Sequence, residues 1–489
     1  MMVAALAGCG GGGETNASDA MAANDAMAAG DAMEVDGGGA STDGATVADG
    51  GADPDGQVSP DASARDGGAV DGSAMACGVL GFQQPLFVDP VLGDDLSPGT
   101  NAAPGCRMKT LTMAVERVRA MSPAFRPIVL LGDASWNTGE RFPIRVPSGV
   151  HITGARLTTG SSYVTGLRQV STVVPTSEGQ GRDGFVLEGS NIRLQGLEIS
   201  GGAGSAGPGL YYGKSAIVVQ AAGPQVEVLV SSVLIHHMGR AGIVVGGPDS
   251  GAPLDGDLRL AGTVEVHDNG TAADPADGIL VMHRGRLRLG YGAFGNPISA
   301  SRNTRNGISV LGQITIDAGN YAVYTTDNAS AGVAIARSGG SPPLNQILNL
   351  SSYNNAGGGL RVTSGAALQL RNGTFRDNSA DVVVEEQIGG STDLDAIDLG
   401  RAGDPGHNHF LASATSTIGL CVNLPLARFA GEALDAVGNT FGVQNCETGT
   451  PQLAVITGCV SSTPVPIGVN EATPGAITIN VSQCGLQRF

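Results

Sequence analysis

The chain has 489 residues, including 77 Gly and one Trp, and its formal net charge at pH 7 is −18. Residues 1–76 hold 13 Asp and Glu residues against one basic residue, Arg65, so the rest of the chain is only mildly acidic. This acidic balance and the lack of a basic stretch argue against a nucleic-acid partner. Abundant Gly with few Lys and Glu argues against a helical protein and is typical of a turn-rich β-solenoid.

Residues 1–9 read MMVAALAGC. Leu6-Ala-Gly-Cys9 resembles the lipobox of bacterial lipoproteins, in which the Cys becomes the lipidated first residue of the mature protein. Eight residues without Lys or Arg are too short for the charged and apolar regions of a signal peptide, so we expect the natural start to lie upstream. The sequence therefore predicts lipidation at Cys9 and anchoring at the cell surface or outer membrane. The alternatives are an accidental match and a secreted protein.

Residues 10–76 form a low-complexity segment of Gly, Asp, Ala and Ser, in which Asp-Ala-Met recurs at positions 19, 25 and 31. The segment has almost no aromatic or β-branched residues, so it cannot bury enough apolar area to offset the entropy of ordering. The composition predicts a disordered tether.

The cysteines that remain after Cys9 number six and lie at the two ends of the repeat region. Six cysteines allow 15 pairings, and the sequence cannot choose among them. We expect three local pairs: Cys77 with Cys106, Cys421 with Cys446, and Cys459 with Cys484. No Cys-x-x-Cys occurs, so an oxidising compartment explains the cysteines better than zinc does.

The stretch from Phe87 reads FVDPVLGDDLSPGTNAAPGCRMKTLTMAVERV. Its Phe87-Val-Asp89, Gly93-Asp-Asp95, Gly99-Thr100 and Lys109-Thr-Leu111 resemble the opening of the domain of unknown function 1565 family, and residues 139–154 resemble its second block. The resemblance implies an all-β chain that continues as a right-handed parallel β-helix similar to pectate lyases, and it implies no established activity.

The resemblance and the repeats divide the chain into an N-terminal cap with the first coils at 77–154, a parallel β-helix at 155–450 and a C-terminal cap at 451–489. Within the first part, Thr110 to Met121 places Leu111, Ala114, Val115, Val118 and Met121 on one helical face. We expect this short helix to cover the exposed strand edges of the first coil.

One phrase recurs between residues 225 and 387: an Asn near a turn, a Gly or another small residue, and then alternating aliphatics. The gaps between the strand starts at 242, 278, 307, 332, 359 and 381 are 36, 29, 25, 27 and 22 residues. Such a period indicates stacked units that bury one another's apolar faces. We expect the Asn residues to form an amide ladder, and the following aliphatics to pile in one interior column: Ile243, Ile279, Ile308, Val333 and Leu360.

Each unit also carries an earlier aliphatic-x-aliphatic strand, such as Ile192-Arg-Leu194 and Leu287-Arg-Leu289. The aliphatics should point inward and leave the middle residues in a line on one outer face, at a strand spacing of about 4.8 Å. The predicted line contains Arg193, Glu227, Arg259, Arg288, Thr315 and Gln369.

A basic stripe is the first candidate site on this line. Arg284, Arg286 and Arg288 alternate with Gly and Leu, so they should emerge from one face beside Arg259. Guanidinium groups bind carboxylates and sulfates through forked hydrogen bonds, so the stripe predicts a site for acidic polysaccharide. The alternative is a solvated strand face that is salt-bridged to Glu227.

Two further candidates concern metal ions. Asp94 and Asp95, with Asp89 nearby, form an oxygen-rich turn that suits calcium, and the alternative is a capped turn. His236 and His237 adjoin a strand end, but neighbouring strand residues face opposite ways and seldom bind one metal. We therefore interpret these two as turn or surface histidines and expect no other cofactor.

These observations support three functional hypotheses. The first is a lipid-anchored protein whose β-helix binds polysaccharide or a cell-surface glycan without catalysis. The second is a polysaccharide lyase or glycoside hydrolase, although the lyase and polygalacturonase motifs are absent from the sequence. The third is a structural envelope or adhesion module. Catalytic carboxylates can come from distant coils, so missing motifs leave the second hypothesis open.

Overall fold

The described residues of this computed structural model all lie between Cys77 and Asn480. The structure describes residues 77–78, 84–121, 126–131, 140–154, 165–168, 182–201, 214–220, 227–247, 256–290, 297–316, 323–336, 343–387, 392–411, 420–424, 426–441, 456–457, 467–469 and 477–480. Several predictions concern positions outside these ranges: Cys9, the tether at 10–76, Cys446, Cys459, Cys484 and most of the C-terminal cap.

The described elements are almost all short strands. Two helices occur among them, α1 (Leu111–Ala120) and α2 (Leu426–Phe429). The strands are β1 (Leu86–Val88), β2 (Arg126–Leu130), β3 (Ile144–Val146), β4 (Val150–Gly154), β5 (Thr165–Arg168), β6 (Phe185–Leu187), β7 (Ile192–Ser200), β8 (Ser215–Val219), β9 (Val228–His236), β10 (Ala241–Val245), β11 (Gly256–His267), β12 (Asp277–Val281), β13 (Gly285–Leu289), β14 (Ile298–Ser301), β15 (Ile308–Val310), β16 (Gln313–Ile316), β17 (Val323–Thr326), β18 (Ala331–Ile335), β19 (Asn345–Leu348), β20 (Leu350–Tyr353), β21 (Gly358–Thr363), β22 (Leu368–Arg371), β23 (Thr374–Arg376), β24 (Val382–Glu385), β25 (Ile397–Asp398), β26 (His409–Leu411), β27 (Leu420–Asn423), β28 (Ala433–Asp435), β29 (Thr440–Phe441), β30 (Ile456–Thr457), β31 (Ile467–Val469) and β32 (Ile477–Asn480).

The strands stack in three columns of parallel pairs. The first column contains β1, β2, β4, the first halves of β7, β9 and β11, then β13, β16, β19, β22, β25, β28, β32 and β31. The second contains β5, the second halves of β7, β9 and β11, then β14, β17, β20, β23, β26 and β29. The third contains β3, β6, β8, β10, β12, β15, β18, β21, β24, β27 and β30. This arrangement is a parallel β-helix and confirms the predicted fold class.

The predicted interior column is present in the third strand column. Ile243 pairs with Ile279, Ile279 with Ile308, Ile308 with Val333, and Val333 with Leu360. All five side chains are buried in one apolar core that continues through the other columns. Each coil therefore covers the apolar face of the next, which explains how short strands remain stable.

An asparagine ladder occupies the corner between the second and third columns, as the repeat predicts. Its members are Asn269, Asn303, Asn328, Asn355 and Asn378. Each side-chain amide before Asn378 donates to the Oδ1 of the next Asn, over 2.8 to 3.0 Å. The residue before each Asn has a positive φ, between 52° and 58°. The left-handed turn points each Asn side chain inward. There its amide group forms hydrogen bonds with backbone groups that have no backbone partner at the corner.

Helix α1 contacts β1, β2 and β3, and it buries Leu111, Ala114, Val115 and Val118, as its amphipathic pattern predicts. Met121, predicted on the same face, is 41% exposed because it lies at the C-cap, beyond the last helical turn. The helices in the described part of the chain include none that is long and apolar enough to span a membrane.

The N-terminus of α1 is capped from a distant segment. Glu140 accepts hydrogen bonds from the backbone N–H groups of Leu111 (2.6 Å) and Thr112 (2.8 Å). A carboxylate at this position satisfies unpaired donors and interacts favourably with the helix dipole. We therefore expect Glu140→Ala to lower the free energy of unfolding by about 1–2 kcal/mol.

Urea denaturation measures this effect, with Glu116→Ala as the control. Glu116 is an exposed residue of the same helix, so its loss removes a similar charge without removing a cap. Equal destabilisation by the two substitutions would contradict the capping role of Glu140.

The predicted disulfide between Cys77 and Cys106 is confirmed and ties the N-terminal end of the described chain to the loop before α1. Cys421, on β27, is also disulfide-bonded, and its partner lies outside the described residues. The pairs Cys421–Cys446 and Cys459–Cys484 therefore stay predictions.

Candidate functional site

The outer side of the first column carries one outward residue per coil, in register. We call the central part of this row the first-column face: Arg193, Leu229, Arg259, Arg288, Thr315, Gln346 and Gln369. His151 precedes the row on β4, and Asp398 follows it on β25. Five of the six predicted residues therefore lie in line.

The prediction that Glu227 lies in that line is wrong. Strand β9 begins at Val228, so Leu229 is the residue that pairs with both Arg193 and Arg259. Glu227 lies just before the strand, and its carboxylate is 2.9 Å from Nη1 of Arg259. The salt bridge that the sequence offered as an alternative is thus present.

The basic stripe contains ion pairs as well as an excess of positive charge. One carboxylate, Asp257, is 3.1 Å from Nη2 of Arg286 and 3.0 Å from Nε of Arg288. Arg284 precedes β13, has a positive φ of 60°, and is exposed. The alternation predicts that Arg284 shares the strand geometry of Arg286 and Arg288. The backbone at Arg284 does not have that geometry.

The three aspartates of the predicted calcium site are engaged in local hydrogen bonds. Asp89 accepts from the N–H groups of Val91 and Leu92 and pairs with Arg107 at 2.6 Å. Asp94 accepts from Leu96 N. This geometry matches the capped-turn interpretation.

Asp95 accepts from Lys109 N and Thr110 N at the start of α1. Among the described residues, no group of three or more His, Cys, Asp or Glu side chains is arranged to hold a metal ion. Calcium binding at Asp89, Asp94 and Asp95 stays a prediction.

A second candidate site lies where the second column turns into the asparagine ladder. We call it the histidine cluster: Glu198, His236, His237, His267, Asp268 and Arg302. His236 on β9 pairs in register with His267 on β11. Three residues of the cluster follow β9, β11 and β14 in turn and have a left-handed backbone, with φ between 52° and 57°: His237, Asp268 and Arg302. The corner brings their side chains back towards the outer face of the strands.

The two strand histidines stack face to face. Their ring centroids are 5.3 Å apart and the rings are 5° from parallel. Nε2 of His236 lies 3.1 Å from Oε1 of Glu198, and Nδ1 of His236 lies 2.5 Å from Nδ1 of His237.

The second half of the cluster is a chain of three groups. Nδ1 of His267 lies 2.6 Å from Oδ2 of Asp268. Arg302 donates from Nε to Oδ1 of Asp268 (2.9 Å) and from Nη2 to Oδ2 (2.8 Å). The guanidinium fork holds the carboxylate, and the carboxylate orients the imidazole.

The electrostatics of the cluster follow from this packing. Burial lowers the pKa of both His236 and His237, because a charged imidazole is disfavoured away from water. Burial acts to raise the pKa of Asp268, but hydrogen bonds from Arg302 and His267 outweigh it and hold the pKa below the ordinary value. The bond to Asp268 raises the pKa of Arg302. Several perturbed groups on one surface are typical of functional sites.

The three strand columns define a parallel β-helix protein. Residues 91–249 match the model of a family described as "Protein of unknown function (DUF1565)", which confirms the resemblance seen from Phe87 onward. No curated protein matches the chain.

Several solved structures are similar. One, the crystal structure of pectate lyase Pel9A, has 12% identity and a TM-score of 0.41, covering 71% of this chain and 79% of that one. Two A-modules of Azotobacter vinelandii mannuronan C-5 epimerases have 14% identity and a TM-score of 0.35. For AlgE4 the match covers 68% of this chain and 90% of that one, and for AlgE6 it covers 77% and 95%.

Proposed function

We propose that the first-column face binds an acidic polysaccharide without cleaving it, with the sugar chain lying along the axis of the coils. The observation that carries this proposal is the register of the face, which presents an outward side chain at every coil. We also propose that a lipid at Cys9 holds the protein at the cell surface.

The spacing of the face suits an extended polymer. Neighbouring strands are about 4.8 Å apart, so side chains in register repeat at that distance along the axis. Gln346 donates to Gln369 at 3.1 Å, so the amides at the far end are aligned along the axis as well. A regular polymer would meet hydrogen-bonding groups on successive coils.

The charge of the face favours an anionic ligand. Three guanidinium groups, those of Arg259, Arg286 and Arg288, pair with only two carboxylates, Glu227 and Asp257, which leaves an excess of one positive charge. Arg193, farther along the face, adds a second. Asp257 and Glu227 also hold the guanidinium groups in place, which reduces the entropy lost on binding. Because both carboxylates are in ion pairs, they are poorly suited to act as the acid and base of glycoside hydrolysis.

Arg288→Ala tests the proposal. We expect its dissociation constant for polygalacturonate to rise about tenfold, because a charge-assisted hydrogen bond contributes about 1.5–3 kcal/mol. Isothermal titration calorimetry measures the constant, and neutral dextran of the same length serves as a comparison ligand. Asp257 retains Arg286 as a partner, so the variant should stay folded.

Arg361→Ala is the matched control for this substitution. Arg361 lies on the third column, pairs with Glu385 at 3.7 Å, and has a side chain 30% exposed, against 31% for Arg288. The proposal fails if the two variants bind equally well, or if wild-type protein binds dextran as tightly as polygalacturonate. Release of unsaturated or reducing sugar would identify an enzyme, and absence of binding to any glycan would favour a structural module.

A further inference from the structure

We propose that the histidine cluster is a second, catalytic site that hydrolyses carboxylic esters, with His267 as the general base. The cluster lies on the second column, whereas the first-column face lies on the first. This proposal does not rest on polysaccharide binding and can be tested with a small ester.

The hydrogen bonds of His267 leave one nitrogen available for chemistry. Oδ2 of Asp268 and Nη2 of Arg302 lie 2.6 Å and 3.2 Å from Nδ1. In the tautomer that donates from Nδ1 to Asp268, Nε2 carries the lone pair. Nε2 has no hydrogen-bond partner among the residues that the structure describes, and the His267 side chain is 17% exposed. A carboxylate–imidazole pair with the second nitrogen open is the arrangement that general-base catalysis requires.

The neighbouring groups supply support and charge stabilisation. His236 packs parallel to the His267 ring and limits its rotation. Arg302 uses Nε and Nη2 to hold Asp268, and Nη2 also contacts Nδ1 of His267, while Nη1 has no hydrogen-bond partner in the described part of the chain. The Arg302 side chain is 54% exposed and its Nη2 lies 3.2 Å from Nδ1 of His267, so its positive charge adjoins the imidazole and would favour negative charge on a substrate bound there.

The same contacts favour ester hydrolysis over cleavage of a glycosidic bond. Hydrolysis of a glycoside uses two carboxyl groups that act directly on the substrate. Here Asp268 is held by Arg302 and His267, and Glu198 is bonded to His236. The groups left open are an imidazole nitrogen and guanidinium N–H donors, which are the parts needed for attack of water on a carbonyl carbon.

The reaction balances without a further reagent. Nε2 of His267 takes a proton from water as the hydroxide oxygen bonds to the carbonyl carbon, and the negative charge on the carbonyl oxygen is stabilised by Arg302. The tetrahedral intermediate then collapses, the carbon–oxygen bond to the alcohol breaks, and the imidazolium returns its proton to the leaving alkoxide. The products are a carboxylic acid and an alcohol.

Hydrolysis of p-nitrophenyl acetate by purified wild-type and variant protein tests the proposal. We expect His267→Gly to lower kcat about tenfold or more, and added imidazole to restore part of the lost rate by occupying the vacated space. His409→Ala is the control, because His409 is a half-buried histidine of the same column, on β26, and lies outside the cluster. It should retain the wild-type rate.

Asp268→Asn provides an independent test that preserves side-chain volume. As a positioning residue, Asp268 should affect kcat and leave KM nearly unchanged, whereas general loss of structure would alter both. The proposal is overturned if wild-type protein hydrolyses the ester no faster than His267→Gly, or if His409→Ala loses as much activity as His267→Gly. It is also overturned if Asp268→Asn leaves kcat unchanged.

Discussion

Asn328→Ala is expected to lower the free energy of unfolding by about 3–5 kcal/mol, the largest loss that we predict for one side chain. Oδ1 of Asn328 accepts from N (3.1 Å) and Nδ2 (3.0 Å) of Asn303. Nδ2 of Asn328 donates to O of Ala300 (3.1 Å) and to Oδ1 of Asn355 (2.9 Å). Alanine would leave these buried groups without partners in the middle of the ladder.

Urea denaturation of the wild-type and variant proteins measures the effect. Asn423→Ala is the control, because Asn423 is exposed on β27 and lies outside the ladder. It should change the free energy of unfolding by less than about 0.5 kcal/mol. A loss below about 1 kcal/mol for Asn328→Ala would mean that the ladder contributes little beyond the apolar core.

The repeat in the sequence predicts the asparagine ladder and the interior column well. One local pattern specifies both the turn at the corner and the buried strand that follows it. Asn303 follows a left-handed residue, and Ile308 begins the next inward run, so one phrase specifies the turn, the ladder and the buried column together. The stacking energy comes from neighbouring copies of the phrase, which a repetitive sequence also displays.

The error at Glu227 has a different origin. Val226-Glu-Val228 and Val228-Leu-Val230 both satisfy a two-residue period. A shift of two residues keeps the same side chains facing inward, so alternation detects a shift of one residue and cannot detect a shift of two. The register is set by pairing with Arg193 and Arg259 in adjacent coils, which is information about the assembled structure.

The histidine cluster shows a second limit of the sequence pattern. The sequence predicts that His236 and His237 are neighbours on a strand and face opposite ways. His237 instead has a φ of 57°, and this left-handed turn brings its ring back to within 2.5 Å of His236. His267-Asp268 stands at the same position of the next coil, 31 residues later, so comparing equivalent corners of successive repeats could have revealed the cluster.

At the far end of the ladder, Asp381 predicts a pH-dependent stability. Its Oδ1 accepts from Nδ2 of Asn378 at 3.1 Å, whereas Oδ2 is buried without a hydrogen-bond partner among the described residues. Burial raises the pKa of Asp381 to about 7, from an ordinary value of 3.8. The folded protein therefore holds this proton more tightly than the unfolded chain does, and stability should fall as pH rises from about 4 to about 7.

Asp381→Asn should remove this dependence because an amide stays neutral throughout. The difference in the free energy of unfolding, variant minus wild type, is expected to rise by an amount on the order of 4 kcal/mol between pH 4 and pH 8 and to level off above pH 7. Urea denaturation at intervals of pH measures it, and Asp395→Asn, at an exposed position, should give a difference that changes little. A flat profile for Asp381→Asn would show that Asp381 is already ionised in the folded protein at low pH. The end of the ladder would then have to accommodate a buried charge.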